Sequence, residues 1–263
     1  MLYLLAIVPS LLSAAPVTLH FAWPAHLQGS VKHTYGRQDD ASTPSIGTKV
    51  TYCFTVEDGA NGLHKMVPSE VQYVDPTSSK VLGEPSILLF DDHGVFKGIE
   101  HLPTEKKTKV HPQMEAIQLA AARATWDELT GRWDGVTLTP GKPSTRTVKL
   151  GLGSMMGPEL DAAEVTTLEA DVACEASALE KTCVRITVET NPTKPSPPRL
   201  DVTGRFELKA MRRVTIVLEP ATLVPYSIRI ERQDLVERGK EDERHLQVEE
   251  TTFSHSAPGA RKP

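Results

Sequence analysis

Apolar and polar residues alternate with a period of two along most of the chain, which is the mark of half-buried β-strands. Val31, His33 and Tyr35 alternate with polar neighbours in "LQGSVKHTY". In "KVTYCFTV", Val50, Tyr52, Phe54 and Val56 make one face, and Thr51, Cys53 and Thr55 the other. A Gly-rich turn, "DGANG", leads into "LHKMVPSEVQYVD". "SILLF" and "VFKGIE" flank Asp92-His93-Gly94, which predicts a hairpin with its tip there. Further on, "GVTLTPGKPSTRTVKLGLG" carries two strands around a Pro-Gly turn. "EVTTLEADVA" and "VRITVET" read as strands, and three long ones follow: "LDVTGRFELKAMRRVTIVLE", "YSIRIERQDLVER" and "RHLQVEETTF". "EPATLVP" and "RGKED" join them as turns. The charge run at 231–244 is the solvated part of the last two, with its signs set to pair across the hairpin.

One stretch breaks the alternation. "HPQMEAIQLAAARATWDELTGRW" has helical spacing, with Pro112 suited to a first turn and Gly131 to the position past the end. Met114, Ile117, Ala121 and Ala124 form one stripe; Leu119, Ala122, Trp126 and Leu129 widen it. So broad a face predicts a helix lying on a sheet. The single Arg in its body argues against a membrane-surface helix.

These elements predict a mainly β chain. Residues 20–254 form one β-rich domain of two meandering halves, about 20–110 and 134–254, joined by the helix at 112–130. The turn formers of 37–47 predict a loop, and residues 255–263 have the composition of a disordered tail.

The first residues add a compartment. "MLYLLAIVPSLLSAAP" is apolar from Leu2 to Leu12 and then small at Ser13, Ala14 and Ala15. It is too short to span a bilayer and reads as a signal peptide over 1–15, with a buried first strand as the alternative. No other stretch is apolar enough to span, so a periplasmic or secreted protein is expected. Export bears on the cysteines. Cys174 and Cys183 have eight residues between them in "CEASALEKTC". That fits neither a zinc pair nor Cys-x-x-Cys. It fits the neck of a hairpin, where a disulfide has room to form. Reduced core cysteines are the alternative. Cys53, with no flanking His or basic residue, is expected to be inert.

Charge and composition exclude more than they assign. The chain has 263 residues, a net charge of −5 and few aromatics, 5%. Neither a basic stripe nor a stacking platform for nucleic acid is present. "FDDHGVFKGIEH" gathers Asp91, Asp92, His93, Glu100 and His101, residue types able to bind a divalent metal. In a hairpin, however, Asp92-His93-Gly94 is ordinary turn chemistry. Asp91, His93 and His101 are thus weak metal candidates, and no cofactor is expected. "KLGLGSMMG" lacks the Lys-Ser/Thr ending of a phosphate loop; Met155 and Met156 are expected to pack inward.

Two stretches carry a resemblance. Trp126 to Trp133 with "GVTLTPGKP", and the hairpin "VTIVLEPATLVPYSIRIE", resemble a group of secreted bacterial β-rich proteins and, more distantly, the lipoprotein-carrier (LolA-like) superfamily. The family turn reads Asp-Pro-Ala-Thr-Gly-Leu-Pro; here Glu219 stands for the Asp and Val-Pro follows Leu223. The pattern covers about residues 28–253. It implies a large curved antiparallel sheet or incomplete barrel with a covering helix, and transfers no active site. The function expected from it is an exported, non-enzymatic carrier whose partner is an apolar small molecule or lipid. The alternatives are a metal-assisted hydrolase using Asp91, His93 and His101, and a structural or protein-binding envelope protein.

Overall fold

The computed structural model describes residues 14–39, 45–74, 85–102, 112–150, 160–174, 182–193, 199–201, 204–238 and 241–256. The first half contains β1 (Val17–Thr18), β2 (Gln28–Asp39), β3 (Ser45–Asp58), β4 (His64–Tyr73), β5 (Ile87–Phe90) and β6 (Phe96–Glu100). Helix α1 (Pro112–Trp126) follows and runs directly into one π-helical turn, Asp127–Gly131. The second half contains β7 (Thr137–Leu138), β8 (Ser144–Leu150), β9 (Leu160–Ala173), β10 (Thr182–Pro192), β11 (Arg199–Asp201), β12 (Gly204–Leu218), β13 (Pro225–Arg238) and β14 (Glu241–Ser256).

Twelve of the strands form one antiparallel sheet in the order β6-β5-β4-β3-β2-β14-β13-β12-β10-β9-β8, with β11 added on β12, and β1 and β7 pair in a separate two-stranded sheet. Each half of the sequence supplies one unbroken block. The blocks meet where β2 pairs with β14, from Gln28 opposite Ser256 to Asp39 opposite His245. The sheet does not close: β6 and β8 are its two ends. A mainly β chain with an open antiparallel sheet and one helix is therefore observed as expected.

The connection after α1 shows that this sheet is strongly curled. Trp126 Nε1 donates to Gly94 O at 2.7 Å, at the tip between β5 and β6. Six residues later Arg132 Nη1 meets Glu164 Oε2 on β9 at 3.3 Å. In a flat sheet β5 and β9 stand eight spacings apart, or roughly 38 Å at ~4.8 Å each. Six residues in helix and turn advance only about 9–12 Å. The two ends must bend toward each other, which defines an inner face crossed by residues 126–141. Gly141 N bonds Leu168 O on β9 at 2.9 Å and completes the crossing.

Alternation decides which side chains turn inward. Val31, Phe54, Val56, Met66, Ile186, Val188, Val214, Ile216 and Ile228 are buried there. The outer face carries threonines and crossed ion pairs, such as Arg185–Glu169, Arg213–Glu189 and Arg229–Glu250. The crossing segment adds Trp126, Leu129, Trp133 and Leu138 to the core. The N-terminal segment adds Leu19 and Leu27, held by Leu19 N to Val136 O and His20 N to Pro220 O. Gly29 has to be glycine here: a Cβ would lie 2.5 Å from Ser254 O and 2.8 Å from the Phe54 ring.

Cys174 and Cys183 form a disulfide with Cα atoms 5.2 Å apart, closing the β9–β10 hairpin. Cys53 stands outside it, with its thiol 3.4 Å from Glu70 Oε2. Replacing both disulfide cysteines by alanine should leave a folded protein less stable by about 2–3 kcal/mol, because the loop is short. Urea unfolding of the double variant beside the oxidised parent checks this; an unchanged midpoint would refute it.

Several expectations need correction. The stripe at Ile117, Ala121 and Ala124 does not pack on the sheet. All three are exposed, Ile117 at 60%. The reason is that α1 lies beside the short edge strand β6, with Arg123 over the Phe96 ring, and only its last turns reach the inner face. The Met114 side chain is outside the described residues. Residues 37–39 and 45–47, expected in a loop, lie in strands, since pairing with β14 carries β2 to Asp39 and β3 begins at Ser45; residues 40–44 lie outside the described residues. Residues 255 and 256, expected in the tail, belong to β14, which runs to Ser256, and His255 Nε2 bonds Pro225 O at 2.6 Å. The strands flanking Pro140-Gly141 do not pair with each other; β7 joins β1 and β8 joins β9. The segments 1–13, 103–111 and 257–263, and Met155 and Met156, lie outside the described residues.

Candidate functional site

Residues directly opposite each other on antiparallel strands share a face, so the register lays out the inner face in rungs. One rung crosses Val50, His33, Thr251, Ile228, Ile216 and Ile186. The next, two residues along each strand, crosses Tyr35, Glu249, Ile230, Val214, Val188 and Thr166. A third crosses Arg37, Gln247, Arg232, Arg212, Thr190 and Glu164 and ends on Arg146. Each step is roughly 7 Å. The face therefore passes from apolar to charged over about 14 Å.

Cover over this face is uneven. On the β9–β12 side the crossing segment seals it, and Val188, Val214 and Ile216 are buried. Over β2–β6 the inner face keeps half-buried side chains: His33, Tyr35, Tyr52, Leu88 and Ile99. Burial pushes the Tyr52 phenol up to about 12. It also lowers the pKa of His33 against the opposing pull of the Glu249 charge. His33 Nδ1 lies 2.7 Å from Thr251 Oγ1. Burial thus favours the neutral imidazole, in a polar spot set into an apolar surface. At the β6 edge, α1 leaves Ile117 and Leu119 exposed.

At the charged end, an ion network ties the crossing segment to the sheet. Glu164 is 7% exposed and accepts from Arg146 Nε at 2.8 Å and Arg132 Nη1 at 3.3 Å. Arg132 Nη2 lies 3.4 Å from Glu128 Oε2, and Arg212 Nη1 meets Glu128 Oε1 at 2.9 Å. Arg132 also stacks over the Trp133 ring at 4.5 Å. Sequence reading missed this network because its members are scattered over the chain; only the register brings them together.

The weak metal candidates do not converge. Asp91 Oδ1 accepts the backbone N–H of His93 at 3.0 Å and of Val95 at 2.9 Å, while Oδ2 pairs with Lys97 at 2.8 Å. Partial burial raises the Asp91 pKa, but the Lys97 bond and the two backbone bonds outweigh it and hold the carboxyl below its usual range. Asp91 is thus occupied in shaping the hairpin tip. His93 is exposed and 4.0 Å from Asp134. His101 lies beyond the far end of β6. Asp92 pairs with His64 at 2.7 Å, which also lies 3.4 Å from Asp58. Among the described residues no three His, Cys, Asp or Glu side chains form a metal-binding group. Gly94, with φ of 70°, closes the tip directly over the Phe21 ring.

No family model matches the chain. No curated protein matches it either. Among solved structures it is similar to lipovitellin, in a study of lipid–protein interactions, at 9% identity and a TM-score of 0.46. That match covers 91% of this chain and 26% of the other, so the chain spans about a quarter of the structure it matches. Among the described residues, no helix is long and apolar enough to cross a membrane.

Proposed function

We propose that this chain is an exported, non-enzymatic binding or carrier protein of the cell envelope, and that its ligand is an apolar small molecule or a lipid. The observation that carries this is the inner face over β2–β6. Tyr52, Leu88 and Ile99 remain half-buried on an otherwise apolar floor, beside a helix that leaves Ile117 and Leu119 in solvent. Apolar surface in a concave, partly covered setting is where small ligands bind. The turn at Glu219–Pro225 agrees with the lipoprotein-carrier resemblance, with Leu223 at φ of 56° and its N–H on Glu219 O at 2.8 Å. The disulfide fits an oxidising compartment.

Native mass spectrometry after purification from a lipid-containing lysate tests the reading. A co-purifying apolar molecule, released on denaturation, is expected. Protein at its own mass alone, with no uptake of hexadecanol supplied in solution, would overturn it. Export has a separate readout. Amino-terminal sequencing of the mature protein should begin between Ala15 and Leu19, and an intact Met1 would remove the envelope from the reading.

A further inference from the structure

Resting on the carrier reading, we infer that the inner face of β3, β2 and β14 binds the hydroxyl head of a neutral long-chain amphiphile, and that Thr48 and His33 hold that hydroxyl. A buried polar atom normally has a hydrogen-bond partner. Thr48 is 6% exposed, and its Oγ1 has none among the described residues. It stands on β3 opposite Tyr35, so it shares the inner face with Tyr35 and Glu249. His33 stands opposite Val50, one rung along. That sets His33 diagonal to Thr48, roughly 7–8 Å away at the backbone. One ligand oxygen lying between the two side chains is within reach of both.

The chemistry of these groups selects the head. His33 Nδ1 is engaged with Thr251 Oγ1 at 2.7 Å, which leaves Nε2 for a ligand. A threonine hydroxyl both donates and accepts, whereas a neutral imidazole nitrogen does one or the other. A ligand hydroxyl is itself donor and acceptor, so it satisfies both partners whichever tautomer His33 holds. A charged head fits poorly. Glu249 is the charge that acts on His33, and its sign opposes an anion. Arg232 is engaged with Glu249 at 3.0 Å, so a cation would have to displace it. The rung beyond Arg37 and Arg232 carries Asp39 and Asp234, and the register thus sets carboxylates beside the arginines.

The rest of the face directs the tail. Beyond His33 the inner residues of β3 run from Tyr52, opposite Val31, to Phe54 and Val56. Val56 is opposite Met66, Met66 opposite Leu88, and Leu88 opposite Ile99. A tail along this line covers Tyr52, Leu88 and Ile99, the side chains left half-buried. Packing alone does not call for a hydroxyl at position 48: a valine there has nearly the same shape and leaves no buried polar atom unpaired.

The test uses the full chain and three probes at neutral pH: hexadecanol, hexadecanoate and hexadecylamine. Titration calorimetry of the parent should show hexadecanol bound about tenfold or more tighter than either charged probe, because a charge taken out of water without a partner is costly. Thr48→Val should weaken hexadecanol by about three- to tenfold, the equivalent of one hydrogen bond, and leave the urea midpoint unchanged or raised. Thr48→Ser, which keeps the hydroxyl, should restore the binding. A hydroxyl with a structural role would do the reverse, lowering the midpoint of Thr48→Val with no change in affinity. His33→Leu, which leaves Thr48 in place, should weaken hexadecanol by at least as much. A charged probe bound as tightly as the alcohol, or a hexadecanol affinity unchanged in either variant, would overturn the inference and leave the carrier reading standing. Uptake of none of the three probes removes the carrier reading, and the inference with it.

Discussion

Trp126→Ala is expected to lower the free energy of unfolding by about 3–5 kcal/mol, the range for deleting a large buried aromatic. Trp126 is 1% exposed. Its ring stacks on Phe90 at 4.7 Å between centroids and lies 5.4 Å from Trp23. Its indole N–H satisfies the Gly94 carbonyl at 2.7 Å. Three losses thus coincide: apolar burial, ring contacts and a buried hydrogen bond. Trp126→Phe separates them. It keeps most of the apolar volume but leaves the Gly94 carbonyl without its donor, so a cost of about 1–3 kcal/mol should remain. Unfolding in urea followed by far-ultraviolet circular dichroism reads both variants. A change below about 1 kcal/mol for the alanine, as at a surface site, would mean that the crossing segment is not anchored where the structure places it.

Much of this fold was legible in the sequence, for identifiable reasons. A strand with one buried face must alternate, and the Val50, Tyr52, Phe54, Val56 face did so; it turned out to be the inner face of β3. The β9–β10 hairpin and its disulfide followed from strand composition on either side of a short spacer. The helix was legible as a helix, but its packing was not. Apolar periodicity reports which residues share a side, and it cannot report that the neighbour is a five-residue edge strand. Ile117, Ala121 and Ala124 were therefore assigned to a core that never reaches them. The rungs were invisible for a deeper reason. Arg37, Arg232, Arg212 and Arg146 come from four strands far apart in the chain. Only pairings such as β2 with β14, the first long strand against the last, align them. The one local cluster of His and Asp in the sequence, by contrast, builds a turn and scattered pairs.

Glu164→Leu is expected to be the most costly change in the ion network, at about 3 kcal/mol, because it leaves Arg132 enclosed with a poorer counterion. Glu164 is nearly buried and accepts from two arginines, whereas the Arg132–Glu128 contact is longer, at 3.4 Å. The residual pull of Glu128 keeps the loss at the low end of the range for a broken buried pair. Arg146 should matter little: its side chain is 60% exposed, so Arg146→Gln should cost under about 1 kcal/mol despite its 2.8 Å bond to the same carboxylate. The ordering follows from burial and not from distance, which would rank Arg146 first. Arg132→Met combined with Glu164→Leu removes the stranded charge and should recover part of the loss. The double-mutant cycle should then give a coupling of about 1 kcal/mol or more. The network also joins the crossing segment to the far side of the curled sheet, through Glu164 on β9 and Arg212 on β12. Glu164→Leu should therefore speed amide hydrogen exchange in residues 127–135 more than in β3 or β13. Additive single effects with unchanged exchange there would show that the sheet holds its curl without this clamp, and that the arginines of the charged rung have no part in stability.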